Sequence, residues 1–332
     1  MPVVIEYLLF LAKLLTVVGL LAVPLLLVAR ARRHQVGAGG DGEVSIRLVN
    51  DDLEQTRLKL AATLLPPGEY KREAKAARKG RKAAHAHAGE RARTFVCHFT
   101  GDLRATAVEG LRREITAILA VARAGDEVVV VLESGGGTMH GYGFAASQLD
   151  RVRAHEGLRL RVIVDRIAAS GGYMMACVAD EVVAAPFAII GSIGVVAQLP
   201  NFHRLLRKHD VDFELVTAGE FKRTLTLFGE NTAGGRAKFQ AELEDAHRLF
   251  QDFVQRFRPQ VDLARVATGE WWFASRALEL GLVDRLATSD EVVVEAATTR
   301  DVFRVCAAQR QSLLARLGAR AEALLYGPPP AP

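Results

Sequence analysis

From residue 93 onward one alternation repeats along the chain. Runs of Val, Ile and Leu with scarcely a polar break occupy 94–99, 125–133, 158–165 and 181–190. Between them lie longer segments in which apolar residues return every three or four positions, as Val108, Leu111, Ile115 and Leu119 do. The runs read as strands, and the periodic segments as helices over 105–124, 138–155 and 172–179. Strands that are apolar throughout are buried on both faces, so the pattern predicts an α/β architecture, a parallel sheet covered by flanking helices. A longer helix over 235–258 carries Phe239, Leu243, Ala246, Phe250, Phe253 and Phe257 on one stripe and stops at Pro259. That stripe suits core or subunit packing.

The N-terminus has a different pattern. Between Val3 and Ala29 the only charges are Glu6 and Lys13. About 25 helical residues at ~1.5 Å each span a hydrocarbon core of ~30 Å, so the segment predicts one transmembrane helix. A cleaved signal peptide is the other reading. The length of the run and the presence of Arg30, Arg32 and Arg33 where a small-residue cleavage site belongs favour an uncleaved anchor. Those arginines place the bulk of the chain in the cytoplasm. A second apolar run, 182–199, holds Pro186, Gly191, Ser192 and Gly194 and reads as buried strands with an intervening turn. Near the C-terminus Leu313, Leu314, Leu317, Ala321 and Leu324 make an apolar face beside arginines, ahead of a Pro-rich tail.

Charge sharpens the division. The 332 residues carry 43 Lys/Arg and 38 Asp/Glu, a net +5. Residues 71–93 alone hold nine Lys/Arg and two Glu, so the rest of the chain is slightly negative. The basic stretch suits acidic lipid, nucleic acid or plain solvation as a linker or helix. It offers no interleaved aromatics for base stacking, so nucleic acid is not an expected partner. Three cysteines, Cys97, Cys177 and Cys306, cannot all pair within one chain, and no Cys/His spacing suggests zinc.

Chemistry concentrates at two glycine-rich loops that each follow a strand: Glu133–Gly137 and Ala168–Tyr173. In an open parallel sheet, ligands bind beyond the carboxyl ends of the strands. Gly136 and Gly137 let backbone approach a ligand closely, and Gly171 with Gly172 opens a helix whose first N–H groups are unpaired. Several such donors converging on one point form an oxyanion site. Ser170 stands just before that helix. In isolation it is an ordinary N-cap serine; as a nucleophile it needs a base. Lys222 serves if desolvated, and Phe221, Leu225, Leu227 and Phe228 around it predict partial burial. Taken alone it is an exposed loop lysine.

Four segments in order, ESGGGTMHGYGFAASQLDRVR, DRIAASGGYMMACVADEVVAAPFAIIGSIGV, LPNFHRLL and TAGEFKRTLTLFGENT, resemble the signal peptide peptidase A family of serine peptidases, most closely its short membrane-anchored SohB branch. The resemblance covers about 95–288 and implies a ClpP/crotonase-like fold. It also implies a Ser-Lys dyad of Ser170 as nucleophile and Lys222 as general base, with Ser192 orienting the lysine. Gly136, with Gly137 beside it, and Gly171 would form the oxyanion hole. The family's usual Ser-Pro-Gly-Gly is here Ser134-Gly135-Gly136-Gly137, a looser loop. Trp271, Trp272 and Phe273 either line a peptide groove or pack in the core. The implied organisation is an anchor over 1–30, a basic juxtamembrane region over 31–93, a peptidase domain over 94–290, and a C-terminal helix and tail over 291–332.

The same resemblance implies peptide or protein substrates, a homo-oligomer whose neighbouring subunits line the groove, and no metal or other cofactor. It places the chain at the bacterial inner membrane with the catalytic domain on the periplasmic face, against the cytoplasmic side indicated by the arginines. A lysine base predicts activity rising between about pH 7 and 9. Three rivals remain. Gly141, Gly143 and Ala146 fit G-x-G-x-x-A with Asp165 following, a dinucleotide fingerprint displaced from its strand. A crotonase-like acyl-thioester enzyme would share the fold and oxyanion hole without needing Ser170. A non-catalytic membrane scaffold would use only the basic segment and the C-terminal helix.

Overall fold

Four consecutive valines make the centre of the molecule. The computed structural model describes residues 44–86 and 91–307, within which Ile46–Cys306 forms one compact unit. The β-branched run of β3 (Glu127–Glu133) lies between β2 (Arg93–Thr100) and β4 (Arg159–Val164). All three are parallel, with Val96 beside Val129 and Val129 beside Arg161. Beyond them lie β6 (Glu181–Ala184) and β9 (Arg285–Leu286) on one side. On the other are β10 (Asp301–Ala307) and β1 (Val44–Leu48), giving the order β1-β10-β2-β3-β4-β6-β9. A smaller sheet, β5-β7-β8, is built from Ile167–Ala169, Ile189–Gly191 and Trp271–Phe273. The α/β expectation holds.

Helices cover the large sheet. On one face Val96, Val129, Ile163 and Val183 pack with Val49, Val292 and Val302. Val49 opens α1 (Val49–Leu64), and Val292 lies in a helix over Ser289–Thr299. Asn50 ties these together: its amide donates to the carbonyls of Ala297 and Arg300, and its oxygen accepts from the Val302 amide at 2.8 Å. The folded unit is therefore wider at both ends than 94–290, because the helix from Val49 and the strand from Asp301 complete the central sheet and its cover. The basic stretch is helical as well, in α2 (Pro67–Ala86).

The segment 181–190, read as one strand, is two, in keeping with buried strands and an intervening turn across 182–199. Pro186 cannot continue a ladder, and the chain turns there, leaving β6 in the large sheet and β7 (Ile189–Gly191) in the small one. The phenylalanine stripe of the long helix, α7 in chain order (Ala233–Phe257), is buried only at its C-terminal end, at Phe250, Val254 and Phe257. There Arg258, 3% exposed, pairs with Asp284 at 2.7 Å, and Asp284 accepts from the Val182 amide. This ties the helix to β6.

Cys97 and Cys177 are buried and Cys306 is half-buried, none in a disulfide. Burial pushes the Cys177 thiol up to about 12, far from a reactive value. Residues 1–30 and the apolar face at 313–324 lie outside the described residues; no described helix is long and apolar enough to cross a membrane.

Candidate active site

A single β-bridge brings the two glycine loops together. Ser134, just past β3, pairs with Ala168 of β5 (Ile167–Ala169): the Ser134 amide donates to the Ile167 carbonyl and the Ala169 amide to the Ser134 carbonyl, at 2.8 and 3.0 Å. The loop after one strand therefore runs alongside the corner after the other, and Gly135–Gly137 face Ser170 and Gly171.

The packing at that corner explains its glycines by close approach. A Cβ at Gly171 would stand 2.4 Å from the Tyr142 ring, and one at Gly172 2.4 Å from the Ser134 carbonyl oxygen. A Cβ at Gly136, whose φ is +90°, would meet the Gly171 nitrogen at 2.7 Å and Ser170 Cβ at 2.8 Å. Residues at these positions must lack a side chain for the loops to touch.

Ser170 begins the short helix Gly171–Ala176 at φ 51°, ψ −119°, and its side chain makes no cap hydrogen bond. The ordinary N-cap reading therefore fails on geometry. A non-glycine residue in this region stores strain of about 1–3 kcal/mol and persists only where its surroundings fix it. Here its amide donates to the Gly191 carbonyl at 2.7 Å and its carbonyl accepts from Met174. Strained serines at sharp strand-to-helix turns present their hydroxyls outward.

The glycine loop is braced from below. Tyr142, fully buried, donates its hydroxyl to the Asp102 carbonyl at 2.8 Å and sits 2.5 Å from Ser134 Oγ. Burial raises the Tyr142 phenol above its ordinary value despite the hydrogen bond with Ser134, so it stays a neutral donor. Ser134 Oγ in turn accepts the Gly136 amide at 3.0 Å. That N–H is therefore engaged inside the loop, whereas no such partner holds the amide of Gly137 or of Gly171.

A cleft of about 660 Å³ opens over these groups. Gly135, Gly136, Gly137 and Leu103 line one part of it, Ser170 and Ser192 another, and Val195, His247 and Thr268 the rest. Ser192 also has positive φ, 52°, and is held by its amide's bond to the Glu270 carbonyl at 2.6 Å. Ser170, Ser192, Gly136 and Gly137 thus share one cleft, with Gly171 buried behind it.

Lys222 does not line the cleft. It is exposed, in a turn closed by its amide onto the Gly219 carbonyl. This is the exposed loop lysine read from the residue taken alone; the partial burial suggested by its apolar neighbours is not found, because Phe221, Leu227 and Phe228 are themselves exposed. Apolar neighbours in sequence bury a lysine only when a second layer covers them.

His247, from the long helix, is the cleft residue that the sequence did not point to; only its i, i+3 relation to Phe250 hinted at an inward position. Trp271 and Phe273 face outward, while Trp272 packs over Gly191. The dinucleotide fingerprint falls away. Gly141 and Gly143 lie inside a helix (Met139–Arg153), not at a strand-to-helix turn, and Asp165 is occupied by the Ser289 amide and hydroxyl. Among the described residues no group of three or more His, Cys, Asp or Glu could hold a metal ion.

Residues 153–303 match peptidase family S49, and residues 2–149 match its N-terminal region. The probable protease SohB of Haemophilus influenzae is 45% identical over 328 residues, covering 95% of this chain and 92% of that protein. A probable protease SohB of Buchnera aphidicola is 55% identical over 225 residues, 68% of this chain and 67% of that one. Among solved structures, a mutant of a membrane-bound stomatin-specific protease with a substrate peptide matches at TM-score 0.40 and 12% identity, over 70% of this chain and 98% of that chain. The protein is a serine-type peptidase, acting on peptide or protein substrates. It belongs to peptidase family S49.

Proposed function

We propose that the chain is a membrane-anchored endopeptidase that cleaves unstructured or membrane-associated peptides with a Ser170-Lys222 dyad. The observation that carries this reading is the strained, uncapped Ser170 at the mouth of a cleft walled by Gly136 and Gly137. Neutral Lys222 takes the proton of Ser170 Oγ as the oxygen bonds to the scissile carbonyl carbon. The carbonyl electron pair moves onto its oxygen, which the amides of Gly137 and Gly171 receive. Gly136 shapes this loop, and Ser192 hydrogen-bonds and orients the lysine. Collapse expels the amine, which takes the proton from Lys222. Water, deprotonated by the same lysine, then releases the acyl group and restores Ser170.

Lys222 reaches the serine once its segment is covered. The exposed apolar side chains of that segment, Val216 at 91% and Phe221 at 53% among them, support a homo-oligomer in which a neighbouring subunit closes over the groove. The anchor rests on the apolar residues 3–29, a single pass through the bacterial inner membrane. A C-terminal alkaline-phosphatase fusion reads the side: phosphatase activity marks the periplasm, its absence the cytoplasm favoured by Arg30, Arg32 and Arg33. The dyad itself is tested by Ser170→Ala, which should abolish casein hydrolysis by the purified chain. Undiminished hydrolysis would overturn the dyad mechanism.

A further inference from the structure

Helix α2 separates its charges by face. At 3.6 residues per turn, Lys71, Arg72, Lys75, Arg78, Lys79 and Arg81 fall within about half of its circumference. All six are exposed. The opposite arc carries Glu73, Ala77 and Gly80, turned toward α1, where Arg57 binds Glu73 at 2.8 Å. Among the described residues none of the six cations has an ion pair or hydrogen bond to a carboxylate. Lys71 and Lys75, and Lys75 and Lys79, are like charges at i,i+4, a spacing that disfavours a helix. Such a ridge gains from a partner of dense negative charge.

Two polyanions fit charge alone. The body outside 71–93 is slightly negative and would repel a nucleic acid extending beyond the ridge. Between Lys71 and Arg81 there is no aromatic side chain to stack on a base. The apolar run 3–29 lies upstream in the same chain. We propose that the exposed face of α2 docks on anionic phospholipid headgroups. Because α2 and the Ser170 cleft belong to the same compact unit, this docking sets how the cleft meets substrates at the membrane surface. The inference rests on the anchor reading only in that a bilayer is within reach, and its test separates the two.

The full chain is reconstituted in nanodiscs of phosphatidylcholine alone, or of equal parts phosphatidylcholine and phosphatidylglycerol. Acetylation of lysines by a water-soluble amine reagent is then followed by mass spectrometry. Lys71, Lys75 and Lys79 should react about tenfold more slowly on the anionic discs and regain their rate in high salt, with Lys208 as an unaffected control. A chain carrying Arg72→Gln, Arg78→Gln and Arg81→Gln, all at exposed positions, should lose most of that protection. Equal rates on both discs overturn the proposal, as does protection by added RNA but not by phosphatidylglycerol. Retention in neutral discs reports the anchor by itself. A chain that leaves neutral discs yet floats with phosphatidylglycerol vesicles, with those lysines protected, keeps the ridge and rejects the anchor.

Discussion

The Cα of Gly136 lies so close to Gly171 that a methyl group added to it would stand 2.7 Å from the Gly171 amide nitrogen. The two glycine loops are locked face to face at this point, and the amides proposed as oxyanion donors on either side of it take their spacing from the contact. Gly136→Ala would also place alanine at φ +90° and 2.8 Å from the Ala169 carbonyl oxygen. The loops must separate. A donor displaced from an oxyanion site costs about 10²–10³ in kcat, and a loss of that order in casein hydrolysis is expected from a protein that still folds. An alanine variant with wild-type turnover would show that the contact does not set the site.

The strain at Ser170 predicts an exchange of stability for activity. Glycine adopts φ 51°, ψ −119° without a Cβ penalty, whereas alanine keeps it. Both Ser170→Gly and Ser170→Ala should be inactive, but the glycine variant should be the more stable by about 1 kcal/mol, or about 2–4 °C in Tm for a domain of this size. A calorimetric scan decides it. A glycine variant that melts below the alanine variant would mean that the positive φ stores no strain.

Tyr142 braces the glycine loop through Ser134. Tyr142→Phe leaves the Asp102 carbonyl with the Ala105 amide alone and the buried Ser134 Oγ with the Gly136 amide as its remaining partner. Stability should fall by about 1–3 kcal/mol. A loosened Gly136–Gly137 turn should lower kcat more than it raises KM. If activity per folded molecule is unchanged while stability drops, Tyr142 is a core tyrosine and nothing more.

What could be read from the chain alone follows a physical line. The valine runs and the helices between them were legible because burial on both faces leaves an unbroken apolar signature, as at 127–133. The pairing of two loops was legible in their glycines, since Ser170-Gly171-Gly172 follows a strand wherever the chain is read. Three features depend on contacts distant in sequence and were not. The strands on the two sides of the turn at Pro186 join different sheets. His247 enters the cleft only through the path of its helix. The lack of a covering layer over Phe221 and Phe228 is a property of the assembled surface and not of the local residues.

Acid stability should depend on Asp126. Burial alone would raise this carboxyl, but Arg93 binds it with both side chain and amide, and the Arg123 amide adds a third donor, so its pKa lies below the ordinary value. A lowered folded pKa adds stability that is fully present above the unfolded value, near 4, and is lost as pH falls through the folded one. Asp126→Asn should therefore unfold at lower urea than wild type at pH 7, and the gap should narrow below about pH 4. A gap that stays constant down to pH 2 would remove the ion pair with Arg93 as its cause.

The identity of the base can be decided between two side chains. His247 lines the cleft with Ser170, and Lys222 stands outside it in the single chain. If subunits close the groove over Lys222, then Lys222→Met should reduce turnover by at least about 10²-fold. His247→Ala should leave most turnover intact while shifting cleavage-site preference, because His247 lines the cleft wall. Activity of the wild type should rise from about pH 7 to 9, as a lysine base requires. Loss of turnover in His247→Ala, with a profile already flat above pH 7, would transfer the role to the histidine. Mixing inactive Ser170→Ala and Lys222→Met chains adds a geometric readout: recovered hydrolysis would mean that serine and lysine meet across a subunit boundary, and no recovery that they meet within one chain.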